Sequence, residues 1–169
     1  MIIIRSARTD DADLLAEFIV KLDHEAKYLL YEPGEREGSV NTVKSFLSRI
    51  EQDEKSMVLI ALTENKKIIG FICGEVSGCK RFSHVMHINI GVLKAYQKKG
   101  WAEKLGEMLY AHAKKVGIFR YEALIVKQNV ASTMLMNKFG FKLEGVKTNG
   151  IRINEKLYDL CLVSKVESL

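Results

Sequence analysis

Residues 92–102 read Val92-Leu93-Lys94-Ala95-Tyr96-Gln97-Lys98-Lys99-Gly100-Trp101-Ala102. An apolar strand runs into a Gln-x-x-Gly-x-Ala turn, and helical periodicity begins at once behind it. A turn of this kind leaves backbone N–H groups without partners at a helix N-terminus, where the helix dipole also favours negative charge. With two lysines beside it, the turn is a place for a bound anion such as a phosphate group.

Working outward, His84 to Leu93 alternates as a strand, with His84, Met86, Ile88, Ile90 and Val92 on one face and Val85, His87, Asn89 and Gly91 on the other. A helix is predicted from about 100 to 116, stopping at Gly117, and Tyr121 to Val126 reads as a buried strand. Asn129 caps a further helix that ends near Phe139-Gly140. Phe141 to Thr148 and Lys156 to Val166 are expected to form a closing hairpin around Asn149-Gly150. Upstream, Ile2 to Arg5 reads as a strand, and Leu14, Leu15, Phe18, Ile19 and Leu22 mark a helix over about 10–28. Tyr31 to Gly38 is a charged Pro-Gly loop, and a second helix covers about 39–53. Met57 to Leu62 and Ile68 to Val76 make a hairpin around Glu64 to Lys67.

The resulting order is βααβββαβαββ, with antiparallel strands first and then a strand–helix–strand crossover. It predicts one mixed α/β layer structure with helices on both sheet faces, in a single domain over 1–169. The 169 residues, 47% hydrophobic and 28% charged, suit one domain with a sizeable core. No apolar run approaches the ~18–20 residues that span a bilayer. Met1 to Ile4 is too short for a signal-peptide core and is followed by Arg5, so the expected location is cytoplasmic, with no membrane partner.

Cys73, Cys79 and Cys161 are scattered and odd in number. They fit neither a disulfide framework nor the spacing of a zinc site, so no metal is expected. The net charge of +5 divides into −3 over residues 1–80 and +8 over 81–169. A basic half serves nucleic-acid binding, a phosphorylated cofactor, or solvation alone. Its basic residues lie in helices and strands without interleaved aromatics, which argues against a nucleic acid.

A second block agrees with the first. Asn129-x-x-Ser132-x-x-Leu135-x-x-Lys138-x-Gly140-Phe141 lies about 30 residues after the Gln97 turn. Together with the element order, the two blocks resemble the GNAT acyltransferase superfamily. The tail, Glu144-Gly145, Gly150 and Tyr158-Asp159, resembles the branch of ribosomal-protein and spermidine acetyltransferases. The resemblance implies a mostly antiparallel twisted sheet with one splayed parallel pair, and acetyl-CoA as the acetyl donor. It implies that backbone near Ile90 to Val92 binds the pantetheine arm, and that Gln97, Lys98, Lys99, Gly100, Trp101 and Ala102 cradle the pyrophosphate. Gly100 would allow close backbone approach. Asn129 would contact the pantetheine or the acceptor side, and Lys138 the adenosine end. From the residues alone, Asn129 reads equally as an ordinary helix cap, Lys98 and Lys99 as solvated side chains, and Trp101 as packing on the sheet.

The activity implied is direct transfer of acetyl to a primary amine, on a small polyamine-like molecule or a protein N-terminus. Met136 stands where the family usually has a tyrosine acid, and a thioether has no proton to give. An amine of pKa near 10 needs a base or a water chain at neutral pH. The strand position where some relatives carry a glutamate falls at Met86, and no carboxylate occurs between Arg81 and Lys99. His84, two residues earlier, is therefore one candidate base, with a structural histidine as the alternative; Glu75 on the adjacent strand is another. Tyr28, Tyr31 and Glu32 resemble acceptor-pocket residues of the branch, or belong to a solvated loop. A homodimer through the C-terminal strands is also implied. The competing expectation is an acetyl-CoA-binding sensor that has lost catalysis.

Overall fold

The computed structural model describes residues 1–36 and 39–168; Glu37 and Gly38 of the expected loop, and Leu169, lie outside the described residues. Seven strands and four helices follow the expected order. They are β1 Ile2–Ser6, α1 Ala12–Glu25, α2 Val40–Glu51, β2 Met57–Thr63, β3 Ile68–Val76, β4 Val85–Val92, α3 Trp101–Lys115, β5 Arg120–Val126, α4 Val130–Lys138, β6 Lys142–Ile153 and β7 Lys156–Val166. The strands form one sheet in the order β1-β2-β3-β4-β5-β7-β6. Every neighbouring pair is antiparallel except β4 and β5.

Two cores sandwich this sheet. On one face α1 and α2 bury Leu15, Phe18, Leu22, Val43, Leu47 and Ile50 against Val58, Ile60 and Cys73. On the other, Leu105, Leu109 and Ala113 of α3 and Met136 of α4 pack against Ile72, Met86, Ile88, Tyr121 and Ile125. Central strands β2 and β3 are covered on both faces, which is why they read as near-continuous apolar runs rather than as alternation. Burial of the Tyr110 and Tyr121 rings in the second core raises both phenols, Tyr121 to about 12.

The helix over 10–28 is shorter than expected. Thr9–Asp11 forms a 3-10 turn and the α-helix starts at Ala12. The carboxylate of Asp11 accepts from the backbone N–H of Arg8 and from both terminal nitrogens of Arg5. These bonds, chiefly that of Arg5, hold Asp11 below the usual carboxylate range.

The closing hairpin also departs from expectation, because its turn is not at Asn149-Gly150. The reversal lies at Asn154-Glu155, where both residues have positive φ, 47° and 59°. Two successive left-handed residues make the turn whose twist matches a hairpin. Asn149, at φ 52°, sits instead in a register shift inside β6, where its N–H is taken by Asp159 Oδ1 at 3.0 Å. His84 falls just before β4 rather than within it.

Among the described residues no helix is long and apolar enough to cross a membrane. The three cysteines are unpaired, and burial pushes the Cys73 thiol well up.

Candidate active site

The parallel pair opens as it leaves its vertex. β4 and β5 are in register only at Val85–His87 opposite Arg120–Glu122. Beyond that, β4 stays with β3 as far as Val92, and β5 stays with β7 as far as Val126. The backbone orientation follows from Leu93 N–H, which donates to Ile69 O at 2.9 Å. By alternation, the N–H and C=O groups of Ile90 and Val92 point away from β3, into the gap. Those of Leu124 face it from the other side.

At the open end, the turn before α3 has an alternating backbone. Lys98 has φ 58° and Gly100 φ 80°, with Lys99 between them outside the positive-φ region. Alternation of this kind makes successive N–H groups converge into an anion-binding concavity. The N–H groups of Lys98, Lys99 and Gly100 donate to no protein acceptor among the described residues, and those of the first turn of α3 have no intrahelical partner. Nothing lies within 4 Å of where a Cβ on Gly100 would stand. The glycine is therefore required by its backbone angle, and the space above the turn is open. The side chain of Gln97 turns inward, its Nε2 donating to Val92 O at 2.9 Å. Lys99 Nζ donates to Ala95 O at 2.9 Å. Trp101 packs against the α3-side core with Lys104 over its ring.

Asn129 is the N-cap of α4, its Oδ1 accepting from Ser132 N–H at 3.2 Å. Lys138 pairs with Glu103 in the first turn of α3, which joins the two helices beside the turn and offsets a carboxylate near an anion site. Met136, in the usual place of the tyrosine, is 4% exposed and part of the core.

The other side of the gap is the α1–α2 face. Gly91 lies directly under Leu22 of α1, which a Cβ would meet at 2.4 Å. Glu25 Oε2 accepts from Lys94 N–H at 2.8 Å, fixing the end of α1 over the open end of β4. From there the loop crosses to β7, and the Tyr28 ring meets Tyr158 edge-on with centroids 6.1 Å apart. Arg36 stacks 4.3 Å over Tyr31 and forks onto the buried Asp23. Glu32 is exposed in the same loop, its N–H donating to Glu35. Tyr28, Tyr31 and Glu32 thus share one loop, from which Tyr28 reaches across to β7.

Of the two expected bases, only Glu75 lies on this face, and it is engaged by Arg49. His84 lies at the closed end, on the opposite face, stacked on Phe119 at 4.6 Å with its carbonyl accepting from Arg120 N–H. Glu75 stands opposite His87 of β4, bonded by Arg49 at 2.7 Å. Tyr158, read from the sequence only as part of the tail, meets Tyr28 here, and Asn89, Leu124 and the pair His87–Glu122 also border the gap. The alternation of β4 does put His87, Asn89 and Gly91 on one face, but the register that sets them against β5 is a tertiary fact.

A sequence model of the acetyltransferase (GNAT) family matches residues 18–141. The chain belongs to the GNAT acetyltransferase family. No match is found among curated proteins. Solved structures agree with the family. An acetyltransferase of the GNAT family from Streptococcus pneumoniae superposes with a TM-score of 0.93 at 25% identity, covering 99% of this chain and 100% of that one. The ribosomal-protein-alanine N-acetyltransferase from Brucella melitensis gives 0.84 at 18% identity, covering 98% and 99%. Salmonella typhimurium yncA, solved with its cofactor acetyl-CoA, gives 0.81 at 19% identity, covering 100% and 96%.

This acetyltransferase is thus an acetyl-CoA-dependent enzyme, and its residues fit that co-substrate. A thioester arm needs backbone partners along an open strand edge, and a pyrophosphate needs converging N–H groups with room above them. Ile90 to Val92 offer the first and Lys98 to Ala102 the second.

Proposed function

We propose that the enzyme acetylates a primary amine that enters from the α1–α2 face, opposite the α3–α4 face from which the cofactor reaches the gap. The observation that carries this is the Tyr28–Tyr158 contact, which bridges the acceptor loop to the closing hairpin over the splay. In this reading the N–H groups of Lys98, Lys99, Gly100, Trp101 and Ala102 hold the pyrophosphate. Gln97 braces the turn through Val92 O, and backbone groups of Ile90 and Val92 hold the pantetheine arm. From Ile88 to Val92 the strand spans about 13 Å, a length comparable to an extended arm. The thioester then lies low in the gap, above the vertex. Asn129 keeps its amide N–H groups for the arm, while Lys138 works through Glu103. A small polyamine and a protein N-terminus both present an ammonium that the exposed Glu32 of that loop would attract.

The acetyl group is supplied already activated as a thioester. The protein's part is to hold it, to take a proton from the amine, and to keep the leaving thiolate near solvent, since Met136 cannot protonate it. A non-catalytic acetyl-CoA sensor is the second reading, favoured by that same buried Met136. An assay of CoA thiol release over spermidine, an alanine-initiated tetrapeptide and tyramine separates the two. Turnover of any of them supports the enzyme, whereas tight acetyl-CoA binding with no turnover supports the sensor. The implied homodimer would use β6, an edge strand with Leu143 and Val146 facing solvent; sedimentation tests it.

A further inference from the structure

At the vertex of the splay, on the acceptor face, His87 of β4 stands opposite Glu122 of β5 in the parallel register. His87 Nδ1 lies 3.4 Å from Glu122 Oε2. The other carboxylate oxygen of Glu122 accepts from Arg120 Nε at 2.7 Å. Arg120 forks onto both oxygens of Glu144, and Glu144 accepts from Ser164 Oγ. A continuous line of polar side chains therefore crosses β6, β7 and β5 and ends on one imidazole. Glu75 faces His87 from β3 but is bonded by Arg49 of α2. The imidazole is 58% exposed, while Glu122 is only 19% exposed.

We propose that His87 is the general base of the transfer and that Glu122 is its positioning residue. The inference rests on the acceptor entering from the α1–α2 face. A carboxylate beside Nδ1 keeps a proton on that nitrogen and leaves the Nε2 lone pair available. Two residues further along β4, Asn89 shares this face and is exposed at the start of the open segment, so an amine approaching the thioester passes above Nε2, directly or through one water. The ammonium gives one proton to Nε2, which passes it to solvent. The nitrogen lone pair forms the C–N bond to the acetyl carbon, the C–S bond breaks, and its electron pair leaves on the thiolate. The second proton lost by the nitrogen reaches that thiolate through water.

The test compares wild type, His87→Gln and Glu122→Gln on the fastest amine of spermidine, the alanine-initiated tetrapeptide and tyramine, and on hydroxylamine, which is already unprotonated at neutral pH. His87→Gln is expected to lower kcat on the basic amine by about 100-fold at pH 7 with KM retained, and to abolish the acidic limb of the pH profile, while hydroxylamine turnover stays within about threefold. Glu122→Gln is expected to displace that limb without removing it. Equal losses on both acceptors, or an unchanged pH profile in His87→Gln, would overturn the proposal while leaving amine acetylation intact. A wild type that uses hydroxylamine alone would overturn both the base and the amine reading. Circular dichroism and acetyl-CoA affinity of the variants separate misfolding from loss of the base.

Discussion

Nε2 of Gln97 donates to the carbonyl oxygen of Val92 at 2.9 Å, tying the turn before α3 to the last residue of the open strand. The side chain so placed braces the turn. Gln97→Ala should weaken acetyl-CoA binding about fivefold, corresponding to one ordinary hydrogen bond of about 1 kcal/mol. Calorimetric titration with acetyl-CoA checks this, and thermal unfolding should be nearly unchanged.

Tyr28 and Tyr158 join the acceptor loop to β7. Truncating either to Ala should raise the acceptor KM several-fold and leave acetyl-CoA affinity alone. A double-mutant cycle on KM should show coupling of about 0.5–1.5 kcal/mol, the range for an edge-to-face pair. Additive effects would place the two rings in separate roles.

Met136 is buried among core side chains and plays no part in proton transfer. Met136→Leu conserves volume closely enough to cost less than about 1.5 kcal/mol in unfolding free energy. Its kcat should equal that of wild type at every pH, which steady-state assays with the fastest amine will show.

His84 is expected to act only in packing, stacked on Phe119. His84→Ala should lower stability by about 1 kcal/mol for the lost ring contact and leave the pH–rate profile where it was.

Two bonds, first from Arg120 and then from Ser164, hold the Glu144 carboxyl down to about 2. A folded-state value below the unfolded one means that the stabilisation is complete above about pH 4.5 and fades as pH falls toward 2. Denaturant melts across that window should show a shallower acid loss in Glu144→Gln than in wild type. Above pH 5 the two curves should run parallel.

The order of elements along the chain was legible because it rests on local pattern. Alternation marks β4, the Gln97 to Ala102 stretch marks a turn into α3, and Asn129 marks a helix start; the left-handed backbone of Gly100 shows only in the structure. The hairpin turn was misplaced because Asn149-Gly150 has the composition of a reversal, and only the pairing of β6 with β7 shows that Asn154-Glu155 takes it instead. Where His84 stands relative to the gap was not legible for a related reason. The sequence shows which residues share a face of one strand, but not where a parallel partner starts and stops. The β4–β5 register puts His84 at the closed end behind Phe119 and brings His87 to Glu122 across the vertex. Tyr28 was identified from its loop, but its partner Tyr158 is 130 positions away along the chain.

In the proposed function, the turn at Gly100 receives the pyrophosphate of acetyl-CoA. Calorimetric titration of acetyl-CoA into Gly100→Ala and Gly100→Glu tests it most directly. Both variants bear the same strain of a side chain at φ 80°, about 1–2 kcal/mol, but only one places a carboxylate in the open space above the turn. The prediction is that Gly100→Glu loses at least about 100-fold in affinity relative to Gly100→Ala, while both remain folded. Equal affinities in the two variants would contradict it.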